Sequence, residues 1–333
     1  MLVLGIETSC DESSAALVRD GDEMLSNVVA SQVDLHREYG GVVPEIAARA
    51  HVEAIAPVLM EALSASVERP GLVAVTAGPG LVGSLVVGVS AAKGLAWAWG
   101  VPMVAVNHVE AHAYAPALEG RLPEYPFLAL VVSGGHTLLA EVRGVDDVEI
   151  LGQTLDDALG EAYDKIAKFL GLGYPGGPVI DRLSGQGDAR AVAFPRAMIS
   201  SGDLNFSLSG LKTAVIRYVK KAGRSAPPVA DLAASFQEAA LEVVVKKTLI
   251  AADERGLRDI VIGGGVACNS RLRAWLGEAC EEQGLNLVYP SPVLCTDNAA
   301  MVAALGYRRY MAGHRAGLDQ DVFPNLPNKW GQI

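Results

Sequence analysis

Short apolar runs ending in glycine or polar turns, interleaved with longer stretches of helical periodicity, recur from one end of this chain to the other. Residues 2–8, 71–76 and 101–106 are near-continuous apolar segments of strand length, the pattern of strands buried on both faces. Residues 13–19 and 23–30 flank Asp20-Gly-Asp22 and read as hairpin partners of the first strand. Helical periodicity covers 44–63, and a small-residue helix follows Ala77-Gly-Pro-Gly-Leu-Val-Gly83 to about Trp99. A comparable set then begins: strands at 127–132 and 137–142 around a glycine turn, and a third near Val148. Helices are expected near 157–170, 208–221 and 229–255, a strand at 259–262 runs into Gly263-Gly-Gly265, and a helix at 269–282 leads to a strand at 286–289. The last helix starts near Thr296 or Asp297. The strand, tight turn, strand arrangement in both halves predicts duplicated architecture without a sequence repeat.

Pro123-Glu-Tyr-Pro126 breaks the chain and sets the expected division: a first lobe over 1–125, a second over 126–296, and a final helix at about 297–312 packing back on the first. With 333 residues, half of them apolar, each lobe has enough chain for its own core. A net charge of −11 makes the surface as a whole no trap for nucleic acid, so RNA handling would need local basic groups or helpers. The candidates are Arg182, Arg190, Arg196, Lys212, Arg217, Lys220 and Lys221, which otherwise read as a solvated helix and loop surface. Four cysteines form no CxxC pair, the first residues lack the pattern of a secretion signal, and the apolar segment after Gly80 is interrupted by glycines and Lys93. A cytoplasmic location is expected.

The chemistry begins with His108 and His112 in Asn107-His-Val-Glu-Ala-His112, straight after a strand-like run. One helical turn apart, both imidazoles share a face and suit a divalent ion, although helix-capping or surface histidines would show the same spacing. Glu110 lies about 200° round the helix from either, so the general base of a His-Glu-x-x-His protease is missing. Asp297 either caps the last helix, as Thr296 would, or adds an oxygen ligand that leaves open positions for a substrate.

Three turns are candidates for phosphate: Glu7-Thr-Ser-Cys-Asp-Glu-Ser-Ser14, Val132-Ser-Gly-Gly-His136 and Gly263-Gly-Gly-Val-Ala-Cys-Asn269. Each follows a strand, and neither a GxGxxG dinucleotide fingerprint nor a GxxxxGK[ST] loop is present. Asp157, Glu161, Asp164 and Lys165 share one helical side, where an ion-paired solvated face is the plain alternative. Tyr174-Pro-Gly-Gly-Pro178 reads as a side-chain-poor turn open to a ribose or base, with Asp181 one helical turn later to accept hydroxyl hydrogen bonds.

These segments together carry a specific resemblance. ETSCDES, Lys93-Gly94 before NHVEAH, LVVSGGHT, TLDDALGEAYDK, GYPGGP, NFSLSGLKT, GGGVACN and CTDNAAM resemble the bacterial tRNA N6-adenosine threonylcarbamoyltransferases, the TsaD family, over essentially the whole chain. That family was formerly labelled O-sialoglycoprotein endopeptidase, which the residues above do not support. The sequence departs at Ala113, where the family signature has a larger aliphatic residue, on a side facing away from any metal. The resemblance implies an α/β, two-lobed fold of the actin, sugar kinase and Hsp70 (ASKHA) superfamily with a ligand cleft between the lobes. It implies one Fe2+ or Zn2+ held by His108, His112 and Asp297. ATP, AMP or threonylcarbamoyl-adenylate would meet Val132, Ser133, Gly134, Gly135, His136, Asp164, Gly177, Asp181 and Asn269.

The implied partners are tRNA, an inactive paralogue of similar fold (TsaB-like), a small ATPase (TsaE-like) and an adenylate-supplying enzyme (TsaC-like). No membrane is involved. The helix around Glu45 to Leu63 is a candidate pairing face for the paralogue, or simply packs in the core. The implied reaction joins threonylcarbamoyl to N6 of the adenosine 3′ of the anticodon in tRNAs reading codons that begin with A. Asp11 or Glu12 is the candidate proton acceptor. An ATP-dependent small-molecule kinase of the same fold, using an aspartate base and magnesium, is the alternative. A regulatory ATP-binding protein without chemistry is a third reading.

Overall fold

The computed structural model describes residues 1–326 and 330. The chain divides into two compact units: Met1–Tyr125 with Val142–Glu149 and Pro290–Ile333, and Pro126–Glu141 with Ile150–Tyr289.

The first unit is built on a sheet of order β3-β2-β1-β4-β5, from β1 (Leu2–Glu7), β2 (Glu12–Arg19), β3 (Glu23–Ser31), β4 (Leu72–Gly78) and β5 (Met103–Asn107). β1 pairs antiparallel with β2 and parallel with β4, so it is central and buried along its whole length. Its helices are the short α1 (Val33–Arg37), α2 (Pro44–Leu63), α3 (Val82–Trp99) and α4 (His108–Tyr114), with α10 (Pro292–Cys295) and α11 (Ala299–Met311) from the end of the chain. Side chains alternate across the sheet. Leu2, Leu4 and Ile6 join Val58 and Ala62 of α2 and Val89, Ala92 and Ala96 of α3 in one core. The other face receives α11, closely enough that a Cβ on Gly5 would stand 2.1 Å from the Ala299 carbonyl oxygen. Among the described residues α3 alone is long and apolar enough to cross a membrane, and its buried stripe packs here instead on β4 and α2.

The second unit repeats the scheme. β6 (Phe127–Val132), β7 (Thr137–Val142), β8 (Val148–Gln153), β9 (Asp259–Gly263) and β10 (Asn286–Val288) form a sheet of order β10-β9-β6-β7-β8. Counted by appearance in the chain, both sheets run third, second, first, fourth, fifth, with the first and fourth strands parallel. Five helices complete it: α5 (Leu159–Phe169), α6 (Gly176–Ser184), α7 (Ser209–Ala222), α8 (Val229–Arg255) and α9 (Ser270–Gln283).

Three boundaries differ from expectation, each for a hydrogen-bonding reason. The helix expected from 157 starts at Leu159, because Asp156 accepts from the Leu208 and Ser209 amides and Asp157 binds Lys165 and Lys212. The 174–178 segment is only partly a turn: Gly176 and Gly177 open α6, and Pro178 sits in its first turn, where its missing N–H costs nothing. The last helix begins at Ala299, not at 296 or 297, and Asn298 caps it by accepting from the Met301 amide at 3.1 Å. Asp297 is therefore not the cap.

Candidate functional site

In the first unit, β5 ends on Asn107, whose side chain accepts hydrogen bonds from the Val109 and Glu110 amides and so starts α4 at His108. That cap fixes the rotation of a short helix buried on all sides. His108 and His112 then lie on one face with their rings edge to face, centroids 4.9 Å apart. Asp297, just before the cap of α11, brings Oδ1 to 3.6 Å from His108 Nε2 and 3.3 Å from His112 Nε2. Three donors bound at about 2.1 Å to one ion stand roughly 3.0–3.4 Å apart in octahedral or tetrahedral angles, so the two histidine-to-carboxylate distances are near those of a coordination shell, and all three donors lie within 4.8 Å of one another. His112 is 1% exposed, and neither ring nitrogen makes a hydrogen bond. A buried imidazole with no hydrogen bond, aimed at a carboxylate, fits a cation and fits little else.

Glu7 completes the arrangement, and the reading of the sequence gave it no such role. Fully buried at the end of β1, it accepts from Thr76 Oγ1 (2.6 Å), the Ser9 amide (2.5 Å) and His108 Nδ1 (3.0 Å). With the His108 proton held on Nδ1, Nε2 keeps its lone pair toward Asp297. The available signal was a carboxylate closing an otherwise apolar strand. Burial by itself would raise the Glu7 carboxyl, but the His108 charge and hydrogen bond hold it below its usual value. Burial likewise disfavours His108 as a cation, yet Asp297 and Glu7 outweigh it and lift the imidazole to about 9 in the ion-free protein.

Asp11 and Glu12 stand at the start of β2 beside this group. Burial, then the charges of Asp297 and Asp11, push the Glu12 carboxyl far above its ordinary value. Such crowding of carboxylates is what a bound cation relieves. The buried His51 of α2 secures their loop, its Nδ1 2.7 Å from Ser13 Oγ and its Nε2 2.9 Å from the Cys10 carbonyl oxygen. Glu110, turned away from the imidazoles, meets Arg309 of α11 at 3.0 Å with both side chains fully buried, which braces the helix after Asp297 against the helix of the histidines.

The second unit gathers the other expected residues. Val132 ends β6, and the turn after it is closed by Ser133 N–H to the His136 carbonyl (2.8 Å) and His136 N–H to Ser133 Oγ (3.1 Å). Gly134 and Gly135 are exposed, and a Cβ on either would meet nothing within 4 Å, which leaves room for a ligand beside them. The first turn of α5 packs beneath: Gly160 N–H donates to the Ser133 carbonyl at 3.1 Å, and a Cβ there would come within 2.7 Å of that oxygen. Asp164 accepts from the Gly176 amide at 2.7 Å, joining α5 to α6 one residue before Gly177. Asp181 accepts from Ser270 N (2.9 Å) and Ser270 Oγ (3.0 Å) at the start of α9. Asn269 caps α9 through the Leu272 amide and donates Nδ2 to Gln237 Oε1 (2.8 Å), which also accepts from the buried Tyr163 hydroxyl (3.2 Å). Nothing in the sequence joined Gln237 to Tyr163, since only the packing of α8 against α5 and α9 aligns them.

Two five-stranded sheets of one topology define a protein of the actin, sugar kinase and Hsp70 class, here with a candidate cation site in its first unit. Solved structures agree on the fold. A full-length HypF in its phosphate- and nucleotide-bound form superposes with a TM-score of 0.62 at 12% identity, over 93% of this chain and 55% of that one. The ADPNP-bound activator of the 2-hydroxyisocaproyl-CoA dehydratase from Clostridium difficile gives 0.55 at 13% identity, over 94% and 96%. The chain belongs to the TsaD family, tRNA N6-adenosine threonylcarbamoyltransferase, whose model matches residues 23–304. Curated relatives with that name include proteins of Symbiobacterium thermophilum, 54% identical over 98% of this chain and 96% of the relative, and Geobacter sulfurreducens, 54% identical over 98% and 97%. A third, from Anaeromyxobacter sp. (strain Fw109-5), is 53% identical over 97% of this chain and 99% of its own length.

Proposed function

We propose that this chain transfers the threonylcarbamoyl group of threonylcarbamoyl-adenylate to N6 of the adenosine 3′ of the anticodon in tRNAs reading codons that begin with A. The observation that carries the reading is the convergence of His108, His112 and Asp297 in a chain that matches its family over nearly its whole length. The family match disfavours a small-molecule kinase of the same fold.

The donor set of two imidazoles and a carboxylate suits Fe2+ or Zn2+. When bound, the ion supplies Lewis acidity toward the threonylcarbamoyl carbonyl and a ligand position for the threonyl end. The remaining work falls to the chain's own residues. Glu7 sets the His108 tautomer, and Arg309 with Glu110 holds the two ligand-bearing helices together. The Val132 to His136 turn takes the phosphate of the adenylate on backbone amides, while Asp164, Gly177, Asp181 and Asn269 frame its nucleoside. ATP and AMP, sharing that nucleoside, are ligands of the same residues. As N6 attacks the carbamoyl carbon, the carbon to phosphate-oxygen bond breaks, AMP leaves, and the N6 proton passes to a carboxylate. Asp11 and Glu12 are the candidates.

The setting is the cytoplasm. The helpers are a TsaB-like paralogue, a TsaE-like ATPase and a TsaC-like supplier of adenylate. The test combines the chain and these helpers with unmodified tRNA, threonine, bicarbonate and ATP, followed by mass analysis of the nucleosides. Threonylcarbamoyladenosine should form with the wild-type chain and not with His108→Ala or Asp297→Ala. Undiminished product from both variants would refute the metal assignment, and no product from the wild type would refute the function.

A further inference from the structure

From Leu204 to Ala230 the chain has no Asp or Glu, in a protein carrying 38 of them and a net charge of −11. The same window holds Lys212, Arg217, Lys220, Lys221 and Arg224. The structure separates these cations. Lys212, at the start of α7, is bonded to Asp157 and belongs to the fold. Arg196, another member of the expected basic strip, is likewise taken, 2.8 Å from Glu242 and 2.7 Å from the Phe194 carbonyl oxygen. Arg217, Lys220, Lys221 and Arg224 are all exposed, and none makes an ion pair among the described residues. Spacings of three and four residues set Arg217, Lys220 and Lys221 along one side of α7, and Arg224 lies in the 3-10 turn, Gly223–Ser225, that follows it. The opposite side is anchored by buried Leu211 and Val215, and Tyr218 packs edge to face on Phe194 with centroids 5.7 Å apart.

Several other cations of this unit have acids to meet, as Arg255 meets Glu141 at 3.3 Å and Arg271 meets Glu238 at 3.0 Å. Attraction to the C-terminal end of the helix dipole accounts for Lys220 and Lys221, but not for Arg217 a turn earlier or Arg224 beyond the end. Three such cations on one side of a helix, with a fourth in the turn just past its end, match the spaced charges of a nucleic-acid backbone.

We infer that the solvent side of α7, through Arg217, Lys220, Lys221 and Arg224, is the surface that carries the phosphate backbone of the tRNA substrate. The inference rests on the proposed transfer for the identity of the polyanion, not for its existence. Contacts of this kind bind without reading sequence, leaving selection of the target adenosine to other parts of the assembly.

The test is tRNA binding by the full-length chain, measured by fluorescence anisotropy with an unmodified transcript across a salt series. In Arg217→Gln/Lys220→Gln/Lys221→Gln/Arg224→Gln, affinity at low salt should fall. The slope of log affinity against log salt should become shallower by about 3, roughly 0.7–0.9 for each lost phosphate contact. The affinity lost between 50 and 200 mM salt then shrinks by roughly 60-fold. The double variant Lys220→Gln/Lys221→Gln should show about half the change in slope. A charge-matched control, Arg37→Gln/Arg69→Gln/Lys246→Gln/Arg258→Gln, removes exposed cations elsewhere and should keep the wild-type slope. A wild-type slope in the α7 variant, or an equal loss in the control, would overturn the inference and assign the face to an acidic protein partner or to plain solvent. Binding is read without turnover, so a failure of the transfer reaction would be seen separately in the reconstituted assay.

Discussion

Glu7→Gln tests the most specific feature of the candidate metal centre, because it removes a charge while keeping the shape. Glu7 Oε1 accepts from the Ser9 amide, which cannot reverse its direction, so the glutamine must keep its carbonyl oxygen there. Its amide nitrogen then takes the place of Oε2, facing Thr76 Oγ1 and His108 Nδ1. The threonine hydroxyl can rotate to accept. The imidazole can accept only by giving up its Nδ1 proton, which moves to Nε2, the atom 3.6 Å from Asp297 Oδ1 that a cation requires. The substitution thus loses a charge-assisted hydrogen bond worth about 1.5–3 kcal/mol and selects the tautomer that opposes coordination. Metal affinity should fall about 10- to 100-fold. The assay is a competition titration of metal-free protein with Zn2+ or Co2+ against a chelator of known affinity, with the Co2+ visible spectrum reporting the ligand set and circular dichroism the fold. A folded Glu7→Gln protein with affinity within about twofold of wild type and an unaltered Co2+ spectrum would refute the argument.

Three further outcomes follow from the same geometry. Arg309→Met strands the buried Glu110 carboxylate and should cost about 3–5 kcal/mol in a urea melt, with Glu110→Leu added to it restoring most of the loss; a cost below about 1 kcal/mol would deny the brace. His108 in the ion-free protein is raised from 6.5 to about 9, so its contribution to stability is complete below the unfolded value and is lost as pH rises through the folded one. Metal-free protein should therefore melt at lower temperature at pH 9 than at pH 7, by about 2 kcal/mol of stability, while metal-loaded protein should not; parallel profiles would contradict this. Gly160→Ala sets a methyl 2.7 Å from the Ser133 carbonyl oxygen and 2.9 Å from Gly134 Cα, which must displace the 133–136 turn. It should cost about 1–3 kcal/mol in stability and weaken AMP binding by calorimetry, and unchanged binding would remove that turn from the nucleotide site.

The order of strands and helices was legible in the sequence because buried strands and amphipathic helices leave local periodicities, and both halves carry them in the same succession. The two histidines were legible for the same reason: a helix turn is a local distance. Asp297 was ambiguous, since an acid before a helix reads equally as a cap, and only the neighbouring Asn298 side chain, bonded to the Met301 amide, settles which residue caps. The pairings of Glu7, Thr76, Arg309, Tyr163 and Gln237 left almost no trace. Their partners lie 101, 69, 199, 74 and 32 residues away along the chain. Sequence alone determined what repeats within a few residues: strand, turn, helix, and the family motifs that ride on them. Tertiary structure decided which cations stay unpaired, which carboxylates are buried and which nitrogen of His108 holds the proton, because each depends on what packing brings within 3 or 4 Å from remote parts of the chain.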